Sequence, residues 1–321
     1  MKKYLRLFIT GFAMGVADLI PGVSGGTVAF LSGIYEELLH SIKIVSGKVL
    51  RFIVQFKIKE AVTAVPFKFL IPLVLGLFSA VLGFANLLSF LLREYSELVW
   101  AFFFGLVFAS TWAVLKRVVK WDVSDVIAFG VSTVVTYFVV GAIPIETPNN
   151  LPFIFLSGVI AICAMILPGI SGSFILLLLG KYQQILAAVT NRDMLTLGVF
   201  MAGCVIGLSL FSRILSWLFK HHHDISVAIL AGIMLGSVRK IWPWKEVVLT
   251  RINSHGEVVP IVEKNIFPSN MDMSVVFILL LGIIGAGIVL YLNRFQVTKE
   301  HVSDLDSKEF QKSHTESLKN Q

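Results

Sequence analysis

The sequence predicts an all-α polytopic membrane protein built as two inverted repeats, each a re-entrant helical hairpin followed by three transmembrane helices. The first observation is compositional. The 321 residues are 56% hydrophobic and 15% charged, with a mean hydropathy of +0.84. Soluble domains do not have this make-up, and several apolar runs reach the roughly 20 residues that a crossing helix needs. The second is the number of such runs, five in each half, at about 5–20, 26–42, 69–92, 97–115, 124–143, 151–167, 172–190, 195–218, 225–240 and 274–292. The third is a duplication. ADLIPGVSGGTVAFLSGIYEELL at 17–39 returns as AMILPGISGSFILLLLGKYQQIL at 164–186, with Pro21/Pro168, Gly22/Gly169, Ser24/Ser171, Gly25/Gly172, Gly33/Gly180 and Tyr35/Tyr182 identical at an offset of 147.

The repeat continues past this segment. Gly76/Gly203, Phe84/Phe211, Ser89/Ser216, Gly105/Gly232 and Ser110/Ser237 match at an offset of 127, so the first half carries about 20 extra residues after its second run. That insertion, about 43–68, holds Lys43, Lys48, Arg51, Lys57, Lys59 and Lys68 among Ile, Val and Phe. It reads as a basic amphipathic segment on the membrane surface. Residues 1–144 are then the first repeat and 145–293 the second, with an extracytoplasmic loop at about 241–273 and a polar cytoplasmic tail at 294–321. Within the loop, the alternation in EVVLTRINSHGEVVPIV predicts a small hairpin of strands. The tail is too poor in apolar residues to fold by itself. The basic, apolar N-terminus could pass for a signal peptide, but the repeat begins inside it and the second copy has no such leader.

Topology follows from parity. With the first two runs of each half forming a hairpin, three full spans remain, and an odd number inserts the second half upside down. Five full spans per half give the same inversion. Fusing the two arms would make a helix of about 38 residues, roughly 57 Å long, too much for a bilayer. Lys and Arg placement agrees with cytoplasmic termini. Lys2, Lys3, Arg6, the insertion, Lys116, Arg117, Lys120 and Lys220 fall inside. The short outer loops hold Arg93 and Arg192 beside acids, and Glu146 with no cation. The net charge of +7 is therefore an orientation signal, with no nucleic-acid partner implied.

The hairpin tips carry the chemistry. Pro21 and Gly22, like Pro168 and Gly169, end the first arm and turn the chain. Ser24, Gly25, Gly26 and Thr27 open the second arm, and Ser171, Gly172 and Ser173 do so in the second copy. The first N–H groups of a helix lack partners and favour phosphate or carboxylate. Broken helices at matching places in two halves mark a transporter binding site near the midplane. The expectation is one anion site built from two opposed helix starts, with packing by small residues as the alternative use of the same glycines and serines. Gly22-Val23-Ser24-Gly25-Gly26 also fits a serine-nucleophile pattern, but it lies between helices rather than after a strand.

Intramembrane ionisable residues are functional candidates. Asp18 precedes the first tip and is replaced by Met165 in the second, so it is a candidate for coupling to a proton or sodium gradient, or for a local cap. Arg213, within FSRILSW, is a candidate phosphate ligand or an interfacial anchor. Glu36, Glu37, Lys181, Tyr35 and Tyr182 read as interfacial. His221, His222 and His223 read as a solvated turn rather than a metal site, because consecutive side chains diverge. Cys163 and Cys204 read as buried free thiols. No cofactor and no metal are expected.

The stretch GVADLIPGVSGGTVAFLSGIYEEL, with its second copy ILPGISGSFILLLLGKY, resembles the PopT family of bacterial polyprenyl-phosphate transporters over about residues 5–292. The paired PGVSGG and PGISGS motifs are specific to it, with Ser173 in place of a glycine. The resemblance implies a plasma-membrane protein that returns undecaprenyl phosphate from the outer to the inner leaflet for cell-wall synthesis. Such a head group is a compact anion whose tail stays in lipid, which suits a polar cleft with backbone donors, alternately exposed as the two halves rock. An intramembrane polyprenyl pyrophosphate phosphatase and an ion-coupled transporter of a small anion are the alternatives. Oligomeric state is not readable.

Overall fold

The computed structural model describes residues 2–20, 23–145, 147–252, 258–268, 272–291 and 293–294. Pro21, Gly22, Glu146 and the tail beyond Arg294 lie outside the described residues. The first repeat opens with α1 (Lys2–Asp18), α2 (Gly25–Leu31) and α3 (Tyr35–Lys43). A π-helical turn (Ile44–Val49), α4 (Leu50–Val54) and α5 (Ile58–Ala64) follow, and then α6 (Phe67–Glu94), α7 (Ser96–Leu115) and α8 (Val123–Val140). The second repeat has α9 (Leu151–Ile166), α10 (Gly172–Leu178), α11 (Tyr182–Thr190), α12 (Met194–His221) and α13 (His223–Ser237). A 3₁₀ turn (Val238–Ile241) then leads into the antiparallel strands β1 (Lys245–Ile252) and β2 (Val258–Asn265), and α14 (Met273–Tyr291) closes it. The strand pair is the expected hairpin, so the protein is mostly rather than wholly helical.

Among the described residues, α6, α7, α8, α12 and α14 are long and apolar enough to cross a bilayer. The expected sixth span, α13, has only 15 helical residues. Polar caps set several helix starts. Asp122 and Asp125 form a capping box before α8, Asn150 accepts from the Phe153 amide before α9, and Asp193 accepts from the Thr196 amide before α12. These caps satisfy amides that the first turn leaves unpaired. The outward faces are apolar: Leu82 is 82% exposed, Ile283 67% and Phe138 66%. A surface of this kind belongs in lipid rather than water.

Small residues let the helices approach closely, as expected where lipid removes the hydrophobic drive between them. A Cβ on Gly76 would overlap the Phe8 carbonyl, which seats α6 on α1. The equivalent Gly203 faces the Phe155 carbonyl and seats α12 on α9. Gly105 of α7 faces the backbone of Gly282 in α14, and its equivalent Gly232 in α13 faces the Phe129 carbonyl of α8. Equivalent glycines therefore make equivalent contacts. The last pairings cross between the halves: α7 holds α14, and α13 holds α8.

One expectation needs correction. The runs 26–42 and 172–190 are not continuous helices. Each breaks at a glycine with positive φ, Gly33 at 71° and Gly180 at 66°. The hydrogen bonds are those of a Schellman motif in both. Ile34 N–H donates to the Ala29 carbonyl and Gly33 N–H to Phe30. Lys181 N–H donates to Leu176 and Gly180 N–H to Leu177. Glycine tolerates this left-handed residue without steric cost, and the motif ends the helix. At the second break α10 and α11 meet at 109°. The insertion 43–68 folds as the π turn, α4 and α5, with all six of its cations exposed.

Candidate functional site

The two tips meet. The Ser24 hydroxyl donates to the Leu167 carbonyl at 3.2 Å, and the Tyr35 hydroxyl donates to the Ile166 carbonyl at 3.1 Å. α9 ends just before Pro168, so these carbonyls have no following helical turn to donate to them. Hydroxyls from the other hairpin satisfy them. Tyr35 is thereby buried, at 2% exposure, and does not belong to an interfacial belt. Tyr182 is exposed, as are Glu36 and Glu37.

The tips differ in what their helix starts hold. At α2 the Asp18 carboxylate accepts from the Gly25 amide at 2.6 Å, and the Ser24 side chain accepts from the Gly26 amide at 3.1 Å. The Thr27 amide reaches the Ser24 carbonyl at 2.9 Å. The expectation of unpartnered amides fails here: an internal anion already sits at this helix start. Ser24, Gly25, Gly26 and Thr27 are all buried. The Thr27 hydroxyl is buried with no hydrogen-bond partner. At α10, Ser171 makes no side-chain cap. Its hydroxyl lies 2.8 Å from that of Ser173 instead. Ser171 and Gly172 are half-buried and Ser173 is exposed. Pro168 and Gly169 are buried beneath them. Gly169 has a φ of 94°, and a Cβ there would lie 2.8 Å from the Ser237 hydroxyl, so both backbone and space require glycine. One tip is shut on its own carboxylate, and the other is open.

Arg213 is exposed on α12, near Gly47 of the π turn. One cation stands elsewhere than expected. Lys181 is fully buried. Its ammonium donates to the Thr147 and Pro148 carbonyls, to Asn149 Oδ1 at 2.6 Å and to Gln184 Oε1 at 3.0 Å. It clamps the linker before α9 to the break between α10 and α11. Its counterpart is Ile34, so the duplication carried no sign of this role. Sequence reasoning also missed Lys240, whose ammonium lies 5.3 Å from the Phe174 ring centre on α10. His221 Nδ1 pairs with the Trp217 carbonyl and His223 Nδ1 with Asp224. Among the described residues no group of three or more His, Cys, Asp and Glu gathers as for a metal.

Apolar crossing helices around two touching, serine-lined helix breaks define a polytopic membrane protein with a polar locus inside its bundle. The chain belongs to the VCA0040-like, undecaprenyl phosphate translocase-like family, whose profile matches residues 14–259. It is 41% identical over 270 residues to a polyprenyl-phosphate transporter of Vibrio cholerae serotype O1, covering 84% of this chain and 88% of that protein. It is 30% identical over 260 residues to a polyprenyl-phosphate transporter of Staphylococcus aureus, covering 75% and 87%. No solved structure matches.

Proposed function

We propose that this protein carries a polyprenyl phosphate, undecaprenyl phosphate above all, from the outer to the inner leaflet of the bacterial plasma membrane. The relatives named for such transport support the substrate class. The single observation that carries the mechanism is the meeting of the tips through Ser24 and Leu167, one closed and one open. In this reading the repeats lie inverted, both termini are cytoplasmic, and the β hairpin faces outward. Ser171, Gly172 and Ser173 offer the head group hydroxyls and helix-start amides. At the other tip, formed by Ser24, Gly25, Gly26 and Thr27, withdrawal of Asp18 frees the Gly25 amide beside the Thr27 hydroxyl. Asp18 thus stands where a phosphate oxygen would stand, and its protonation or ion pairing is the coupling step. Donors already fixed in place lower the cost of a charge at membrane depth.

The phosphatase alternative gains no support from the contacts. Asp18 is engaged with the Gly25 amide and the Ser24 hydroxyl with Leu167, so no acid–nucleophile pair is set up. The test is leaflet-resolved movement of fluorescent undecaprenyl phosphate in proteoliposomes, with and without a pH gradient. Movement over protein-free vesicles is expected. Release of inorganic phosphate from the pyrophosphate lipid without movement would replace this reading with the enzyme.

A further inference from the structure

A cleft of about 420 Å³ opens between the β hairpin, the 3₁₀ turn after α13, the end of α8 and the outer face of α10. Its two walls differ in chemistry. One is apolar, with Ile143, Phe174, Leu177 and Leu178. The other carries Arg239, Lys240, Lys245 and Lys264 against one acid, Glu263. Phe174 directly follows Ser173, so the cleft adjoins the open tip.

The charges do not balance. Lys240 Nζ and Lys245 Nζ lie 3.3 Å and 3.2 Å from the same oxygen of Glu263. The Lys245 side chain is only 7% exposed, Lys240 21% and Glu263 20%. One carboxylate neutralises one ammonium, so the triad holds a surplus positive charge largely out of water. Arg239 adds another, with its guanidinium donating to the neutral Tyr137 carbonyl at 2.9 Å. Aromatic faces cushion these cations. The Trp100 ring lies 4.1 Å from Lys245 and the Tyr137 ring 4.4 Å from Arg239. Such contacts are worth about 0.5–2 kcal/mol each, and they leave the charge in place. A desolvated cation without a counter-charge is costly, and an incoming anion removes that cost. Burial pushes the Lys245 ammonium down to about 8, against the pull of Glu263.

We propose that this cleft is a docking site for the phosphate head of a polyprenyl lipid, with Lys240, Lys245 and Arg239 on the phosphate and the first isoprene units along Phe174, Leu177 and Leu178. A free phosphate shares the head chemistry but not the apolar wall. In the transport reading, on which the word polyprenyl rests, the cleft loads the open tip from the hairpin side.

A charge series tests this. The full-length protein in nanodiscs is titrated with fluorescent polyprenyl phosphate, polyprenol of equal length and inorganic phosphate. Lys240→Gln is expected to weaken the lipid phosphate by about tenfold, as for one lost charge-assisted hydrogen bond. Glu263→Gln, which adds surplus charge, is expected to hold or tighten it. A merely structural ion pair would make both changes act alike. Equal weakening in both, no effect in either, or polyprenol binding as well as its phosphate would overturn the proposal. Inorganic phosphate displacing the lipid only at far higher concentration supports it, and equal displacement overturns the role of the apolar wall. Thermal unfolding of each variant checks that the fold survives. Bound lipid with this charge order but no flipping in proteoliposomes would leave the cleft standing and remove the transport reading. Flipping with no charge order in binding would do the reverse.

Discussion

The Ser24 hydroxyl reaches across the repeat boundary to the Leu167 carbonyl, 3.2 Å away, while also accepting from the Gly26 amide. Its counterpart Ser171 makes no side-chain cap, and its hydroxyl lies 2.8 Å from that of Ser173. Ser24→Ala should therefore lower stability by about 1–2 kcal/mol, the usual cost of a lost cap with a carbonyl left unpaired. Ser171→Ala should leave stability within about 0.5 kcal/mol yet slow lipid movement. Thermal unfolding in detergent and the proteoliposome assay read the two effects. Equal unfolding shifts would contradict the asymmetry.

At Gly25 an added Cβ would lie 2.6 Å from Asp18 Oδ2, whereas at Gly172 it would lie 2.8 Å from the Ala161 carbonyl oxygen. A side chain can retreat and a backbone cannot. Gly25→Val and Gly172→Val should both abolish transport with insertion intact. Adding Asp18→Ala should recover stability for Gly25→Ala but not for Gly172→Ala. Unfolding temperatures of the four variants decide it, and rescue of both or neither would refute the stated clashes.

Head-group binding should weaken as pH rises through about 8. Lys245 faces Glu263 on β2, Lys240 on the 3₁₀ turn and Trp100 on α7. Burial holds its ammonium well below the ordinary 10.5. Only the charged form attracts an anion, so the Lys245 share of the attraction is present below about 8 and lost above it, while Lys240 and Arg239 remain. Glu263 stays ionised throughout, since Lys245 and Lys240 overcome the burial that would raise its carboxyl. Titrations from pH 6.5 to 9.5 should show the fall in the wild type, and Lys245→Gln should flatten it.

Lys181→Met should cost about 1–2 kcal/mol, because it removes the buried ammonium that ties Thr147, Pro148 and Asn149 to Gln184. Glu37→Gln, at an exposed position, should cost less than about 0.5 kcal/mol. Comparable shifts in thermal unfolding for the two would rule out the clamp.

The helices were legible because lipid imposes one rule, long apolar runs, and the repeat located the tips twice. The second-arm breaks were also written in the sequence, as Gly33 and Gly180 at matching places, but glycine in a membrane helix equally serves packing. Tyr35 and Lys181 were misplaced for one reason. Distance along the chain was read as depth in the membrane, and a sharp break after seven helical residues folds that distance back into the core. The Asp18 cap needed the turn's geometry, since nothing in ADLIPGVSGG states that residue 18 reaches residue 25. The two-lysine, one-glutamate triad joins residues from three separated stretches, a juxtaposition that no spacing rule encodes.

The crossed grip of α7 on α14 and of α13 on α8 bears on how such a molecule moves. A chain severed between Val140 and Leu151 would leave two fragments that each clasp a helix of the other, so co-expressed pieces should stay together through purification. For the same reason a rigid swing of one duplicated half against the other would have to part both grips, and with them the packing of α12 on α3 and the Ser209–Ser46 hydrogen bond.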